Sequence, residues 1–408
     1  VRIELSKINK IFPEHIIISG SKSESNRLLI LQSLYGNVFI ENLSDADDVL
    51  LVQKALQSNI NTIDIHHAGT AMRFLTAYFS IQENKEIILT GSPRMKERPI
   101  GILVDVLRKL GAEIQYLENE NYPPLKIVGK NLAGNTIFLP ASVSSQYVSA
   151  LILIAPKFKN GLKIILDQTI ISKPYIQMSL AMLNKIGIQT SFVENTIQIA
   201  SFVLNNKTTN FVVESDWSSA SYFYSIVALS QIGTKITLSS FYKNSLQADR
   251  IVAKIYVFFG VFTSFNEDNS ISLWKIQNPK SNFLKLNLSD SPDIAQTIAV
   301  TCFGSKVGCE LTGLHTLKIK ETDRLQAIEK EIKKLGGKVK TTESSLFIES
   351  TEQILASKTI ATYHDHRMAM AFAPLALRTD ITIENPEVVS KSYPRFWKDL
   401  QKIGFRIQ

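Results

Sequence analysis

Leu107-Arg-Lys-Leu-Gly111 closes an apolar, helix-spaced segment on a glycine. The same ending recurs at Leu183-Asn-Lys-Ile-Gly187, Ile255-Tyr-Val-Phe-Phe-Gly260, Ile332-Lys-Lys-Leu-Gly336 and Leu400-Gln-Lys-Ile-Gly404. The glycines stand 76, 73, 76 and 68 residues apart, a period that marks a repeated supersecondary unit. A glycine in this place is expected to turn left-handed and stop the helix. After each of the first four glycines an extended run meets a polar turn and a return strand. The turns are Glu118-Asn-Glu-Asn121 before 125–128, Glu194-Asn195 before 197–199, residues 266–269 before 271–274, and 342–344 before 346–348.

Two irregularities set the organisation. The last unit reaches Gln408 without a return strand, while the chain opens on an unpaired alternating run, residues 1–8. The N-terminal strand is therefore expected to complete the C-terminal unit. Counting back one period from Gly111 places a glycine near Tyr35, yet the helix expected over 47–57 ends near residue 60, about 51 residues before Gly111. The first unit is accordingly expected to be about two dozen residues short and to lack its hairpin. Six units divide three and three, which predicts an α/β chain of two lobes, in keeping with 408 residues. One lobe spans 1–19 and 215–408 and holds both termini; the other, 20–214, is inserted. The crossings, near Gly20 and at Val213-Glu-Ser-Asp216, are expected to form a hinge.

Bulk composition narrows the chemistry. Two cysteines, Cys302 and Cys309, are too few for a disulfide framework and lack the partners of a zinc cluster, so a reducing cytoplasm is expected. No apolar run approaches membrane-spanning length and no signal segment opens the chain, so neither secretion nor membrane insertion is expected. The formal charge is +8, but the cations are dispersed, with few aromatics among them, whereas nucleic-acid binders gather theirs on a stripe. Small anionic substrates match that distribution better.

Several stretches gather cations, hydroxyls and carboxylates at expected helix starts. Lys318-Ile-Lys-Glu-Thr-Asp-Arg324 alternates charges; Glu321 and Arg324 at i,i+3 suit either an ordinary salt bridge or an anion site. Thr322 or Asp323 can cap a helix whose apolar face is Leu325, Ile328, Ile332 and Leu335. Ser19-Gly-Ser-Lys-Ser-Glu-Ser-Asn-Arg27 leads into the apolar helix 28–34 and is either a serine-rich cap or a phosphate cradle; its glycine spacing is not that of a P-loop. His67-Ala-Gly-Thr-Ala-Met-Arg73 is a small-residue turn. Ser92-Pro-Arg-Met-Lys-Glu-Arg-Pro99 holds three cations between prolines. Ser144-Ser145-Gln146 and Ser172-Lys-Pro-Tyr175 offer hydroxyls and an amide suited to a phosphorylated polyol, or to ordinary caps. His364-Asp-His-Arg367 lacks the spacing and further carboxylates of a metal site, and a cap beside an anion-binding arginine fits it better.

Taken in order, GSKSESNR, AGTAMR, PRMKERPI, VSSQ, SKPY, SPD, KIKETDR, HDHRMAM and SKSYP, from Gly20 to Pro394, resemble the enolpyruvyl transferase family, most closely its branch acting on shikimate 3-phosphate. The resemblance implies a two-lobed inside-out α/β barrel, each lobe three βαβαββ units about a pseudo-threefold axis. The implied reaction moves the enolpyruvyl group of phosphoenolpyruvate to the 5-hydroxyl of shikimate 3-phosphate through a tetrahedral intermediate, without metal or organic cofactor, in a cytoplasmic monomer. By motif, Asp293 resembles the base on the hydroxyl, Glu321 the proton carrier for the methylene carbon, and Lys22 a group shared between substrates and steps. The implied shikimate-phosphate set is Lys22, Ser23, Arg27, Ser144, Ser145, Gln146, Ser172, Tyr175, Asp293 and Lys320. The implied phosphoenolpyruvate set is Lys22, Gly69, Thr70, Arg98, Gln146, Arg324, Arg367 and Lys391. The family would close its lobes on these anions.

His67 stands where the commoner pattern has Asn and Phe74 where it often has Pro; both flank the Gly69-Thr70 turn of the implied phosphoenolpyruvate pocket. Thr316 stands where some members carry an Asn that contacts the shikimate phosphate. Two rival readings fit the residues less well. The branch acting on UDP-N-acetylglucosamine uses a cysteine on a mobile loop, near 93–96 here, far from Cys302 and Cys309. A non-catalytic anion binder would have no use for Asp293 and Glu321, which repel a polyanion.

Overall fold

The computed structural model describes residues 1–140, 144–167, 170, 172–202 and 208–408. The chain forms two compact units, 1–19 with 214–408, and 20–213. The first contains three four-stranded sheets. In one, Arg2–Ser6 lies antiparallel between Ile381–Glu384 and Arg406–Ile407, with Leu5 opposite both Ile381 and Ile407 and Lys358–Ile360 on the outer side of Ile381–Glu384. The first strand of the chain thus supplies the partner that the last helix-glycine-strand segment lacks. The other two sheets run Val261–Phe265, Ile271–Lys275, Lys235–Leu238, His15–Ile16, and Phe283–Asn287, Gly308–Thr312, Leu346–Ile348, Val339–Thr341.

The 20–213 unit has two such sheets, Thr62–Asp64, Glu86–Thr90, Leu125–Val128, Glu113–Tyr116, and Thr190–Val193, Thr196–Ile199, Leu162–Asp167, Thr136–Pro140. Its third is only a parallel pair, Val38–Glu41 with Thr209–Val212. That pair belongs to the shortened first unit, where Asp47–Gln57 is followed directly by the next strand and no hairpin intervenes. Among the described residues four of the five four-stranded sheets share one pattern, a hairpin joined antiparallel to a third strand that is parallel to a fourth, and in the fifth the pair 2–6 and 406–407 takes the hairpin's place.

The helices explain the inside-out layering. Ala295–Gly304 and His366–Phe372 are buried at every position, and Trp217–Leu229 at all but Ser218; a helix apolar all round belongs in a core. These three pack on one another in their unit, as Lys22–Tyr35, Gly69–Ser80 and Ser145–Ile154 do in the other. Gly101–Lys109 and Arg324–Lys334 bury one stripe and expose the rest. Each buried helix starts at or beside one of the polar motifs, so the sequence spends small and charged residues where a core helix must end its apolar run. No helix among the described residues is long and apolar enough to cross a membrane.

The five periodic glycines, Gly111, Gly187, Gly260, Gly336 and Gly404, have φ of +104°, +92°, +75°, +92° and +102°, conformations that a side chain resists. At Gly336 an added Cβ would also lie 3.1 Å from Leu355 Cγ. Gly336→Ala is expected to cost about 1–2 kcal/mol, read as a lower urea midpoint at unchanged slope.

Candidate active site

In the unit holding both termini, the stretch 318–324 is split between a 3-10 turn, His315–Ile319, and the helix Arg324–Lys334, which Asp323 caps by accepting from Gln326 N at 3.2 Å. Arg324 is 1 % exposed, and such a cation persists only when its donors are met. Its Nε donates to Asp365 Oδ2 at 2.6 Å, Nη1 to Asp293 Oδ1 at 3.0 Å and Nη2 to Glu321 Oε2 at 2.8 Å. Three carboxylates from three segments thus surround one guanidinium. Each carboxylate is shared further: Lys391 Nζ donates to Glu321 Oε1 at 2.6 Å, Lys320 Nζ lies 3.4 Å from Asp293 Oδ1, and Arg367 Nη2 donates to Asp293 Oδ2 at 3.1 Å.

Four cations, Lys320, Arg324, Arg367 and Lys391, therefore face Asp293, Glu321 and Asp365. Burial would raise the Asp293 carboxyl, but Arg367, Lys320 and Arg324 outweigh it and hold it well below the usual carboxylate range. Burial likewise disfavours the charged forms of Arg324 and Arg367, yet the surrounding acids leave both guanidiniums above their ordinary value. The backbone pays locally: Tyr363 and His364, just before Asp365, sit at φ +53° and +57°, strain of a kind that gathers at functional sites. Among the described residues no group of three or more His, Cys, Asp or Glu is placed to hold a metal ion.

The 20–213 unit gathers the other motif residues. Ser21 caps the helix Lys22–Tyr35, so it starts six residues earlier than the apolar pattern alone indicates. Lys22 Nζ lies 3.1 Å from Asp48 Oδ2, and Ser23 gives its carbonyl to Arg27 Nη1 at 2.8 Å. Arg27 also donates to Ser179 Oγ at 2.8 Å and Ser149 Oγ at 3.0 Å, and its pKa is lowered to about 10, chiefly by burial. Ser172, left-handed at φ +54°, opens the helix Lys173–Lys185, whose Tyr175 carbonyl accepts from Arg27 at 3.4 Å. Ser144 caps the helix that begins at Ser145, and Gln146 Nε2 donates to Thr70 Oγ1 at 3.0 Å; Val143 lies outside the described residues. Arg98 presses on the Gly69 backbone, where a Cβ would stand 2.4 Å from Arg98 Nη1.

The structure adds residues that the motifs did not single out. Asp365 was read as a cap; it does accept from Arg367 N at 2.8 Å, but it also anchors Arg324. Asp48 holds Lys22, and its place in the acidic run Asp45-Ala-Asp-Asp48 was the only available signal. Phe74 stands one helical turn beyond Thr70, and its ring faces the Arg27 guanidinium at 5.3 Å. His67 behaves as its position suggests, with Nδ1 2.7 Å from Ser92 Oγ, joining the Gly69 turn to the segment bearing Arg98.

Arg324→Met would leave Asp365, which has no exposed side-chain surface, without its cation. A loss of about 3–5 kcal/mol is expected. Urea unfolding of the unliganded protein at neutral pH should show that loss as a lower midpoint.

Comparison with known proteins identifies the family. The profile of the family described as EPSP synthase (3-phosphoshikimate 1-carboxyvinyltransferase) matches residues 53–400. A 3-phosphoshikimate 1-carboxyvinyltransferase of Bacteroides fragilis is 44% identical over 404 residues, 96% of each chain. One from Mannheimia haemolytica is 35% identical over 442 residues, covering 99% of this chain and all of its own. The crystal structure of an EPSP synthase from Acinetobacter baumannii superposes with a TM-score of 0.81 over 100% of this chain and 99% of that one, at 22% identity, which speaks to the fold alone. The chain belongs to the EPSP synthase (3-phosphoshikimate 1-carboxyvinyltransferase) family.

Proposed function

We infer that the protein transfers the enolpyruvyl group of phosphoenolpyruvate to the 5-hydroxyl of shikimate 3-phosphate and releases phosphate. The observation that carries this reading is the pair Asp293 and Glu321 on one buried guanidinium, two proton carriers set among cations. In the addition step, Asp293 takes the hydroxyl proton as O5 bonds to C2 of phosphoenolpyruvate, and Glu321 gives a proton to the methylene carbon. Elimination then returns a methyl proton to Glu321 as the C2–O bond to phosphate breaks, and the proton taken by Asp293 leaves with the phosphate. Lys22 shares in these transfers.

Shikimate 3-phosphate engages Lys22, Ser23, Arg27, Ser144, Ser145, Gln146, Ser172, Tyr175, Asp293 and Lys320. Phosphoenolpyruvate engages Lys22, Gly69, Thr70, Arg98, Gln146, Arg324, Arg367 and Lys391. In the unliganded protein the cations around Asp293 make it a weak base. Once substrate phosphates and carboxylates draw on Lys320, Arg324 and Arg367, the Asp293 carboxylate regains proton affinity beside the hydroxyl it must deprotonate. The reading uses residues of one chain and small anions, so it includes a cytoplasmic monomer that binds no nucleic acid. The crossings near 20 and 214 act as the hinge. Cys302 and Cys309 are both buried and neither can serve as a loop nucleophile.

Phosphate release from phosphoenolpyruvate should depend on shikimate 3-phosphate and should not be supported by UDP-N-acetylglucosamine. In Asp293→Ala and Glu321→Ala it should fall by about 10²–10⁴-fold; unchanged turnover in either would remove that residue from its role.

A further inference from the structure

We propose that Asp249 is a positioning residue for this reaction, controlling through Ser218 how the Arg367 guanidinium is divided between Asp293 and the anionic substrate. The proposal rests on the function proposed above. Asp249 lies in the 3-10 turn Ala248–Ile251, tied to the Asp293 segment by Ser291 Oγ donating to Ala248 O at 3.0 Å. Its carboxyl is 2 % exposed. Ser218 Oγ donates to Asp249 Oδ2, which turns the hydroxyl's lone pairs to Arg367 Nη2 at 3.4 Å. The same Nη2 donates to Asp293 Oδ2 at 3.1 Å. Asp249, Ser218, Arg367 and Asp293 thus form one chain across four elements of a single unit.

The other Asp249 oxygen, Oδ1, is buried with no hydrogen-bond partner among the described residues. A buried carboxylate with an orphaned oxygen costs free energy, which protonation relieves. The charged groups that act on it are Asp293, Arg367 and Asp216, the cap of the Trp217–Leu229 helix. Burial and Asp293 push its pKa up to about 7, against Arg367 and the Ser218 hydrogen bond. Protonated, Asp249 leaves Arg367 to Asp293 and to substrate. Ionised, it becomes a second anion competing for the same guanidinium, so phosphoenolpyruvate should bind more weakly as pH rises through neutrality.

Asp249→Asn tests this, because the amide keeps an acceptor for Ser218 but cannot ionise. Dividing the variant's kcat/KM for phosphoenolpyruvate by that of the wild type cancels the titration of the substrate itself. The ratio should climb about tenfold between about pH 6 and about pH 8, the effect of an interaction worth one pKa unit; a flat ratio would overturn the proposal. Thermal unfolding of the unliganded protein gives a reading independent of turnover. A carboxyl whose folded pKa is raised holds a proton that the unfolded chain has released, so wild-type stability should fall relative to the variant from about pH 4 to about pH 7. Parallel Tm curves would also overturn it. If Asp249→Asn does not fold, Ser218→Ala should move the inflection of the wild-type profile upward, and an unmoved inflection counts against the proposal. Wild-type protein without shikimate-dependent phosphate release would refute the proposed function instead, and the Tm curves would still judge Asp249.

Discussion

Everything in the site of the terminal unit hangs on the burial of Arg324. A guanidinium removed from water needs its fork of donors filled, and no single segment here can fill it. The acceptors come from Asp293, 31 residues before it, Glu321, three before, and Asp365, 41 after. Satisfying one cation therefore fixes the relative placement of a 3-10 turn, a loop and a helix cap. The two carboxylates assigned to proton transfer are held by the same bond that holds the fold.

The layering supplies the frame for this. The core helices leave little solvated face for a charge, so the charged side chains they carry stand within their first six residues. Lys22, Gly69, Ser145, Ser218 and Arg367 all stand within the first two residues of such a helix. Free N–H groups and the positive end of the helix dipole are found there as well. A chain built this way concentrates anion-binding capacity at helix starts, while the sheets outside carry the repeat.

How much of this could be read from the sequence depends on range. The periodic glycines, the hairpins and the shortened first unit follow from local chemistry: a left-handed stop, a polar turn, an alternating strand. Completion of the last sheet by residues 2–6 was also readable, because a missing return strand and a spare strand are both visible in one dimension. Partnerships over long separations were not. Arg27 meets Ser149 and Ser179, 122 and 152 residues away, and nothing in the spacing of those serines announces it. Asp365 and Asp249 look like a cap and a turn acid until the fold delivers a buried cation or a second carboxylate to them. Phe74 is four residues past Thr70 in one helix, as the sequence shows, but its contact with Arg27 is a long-range one that the sequence does not announce. In 318–324 the two readings were never alternatives, since Glu321 both pairs with Arg324 and presents its second oxygen to Lys391.

A site for two polyanions must keep several cations close together before either anion arrives. Left unpaired in a buried place, those cations would repel one another and oppose folding. Here the counter-ions are Asp293, Glu321 and Asp365, and the first two are the carboxylates to which the proposed function gives proton transfer. The consequence is chemical. A carboxylate clamped by Arg367, Lys320 and Arg324 has little affinity for a proton, and under the proposed function it regains that affinity as substrate anions take over those cations. Pairing the cations with Asp293 and Glu321 offsets their repulsion in the unliganded unit, and in the proposed reaction the same contacts make proton transfer conditional on the substrates being bound.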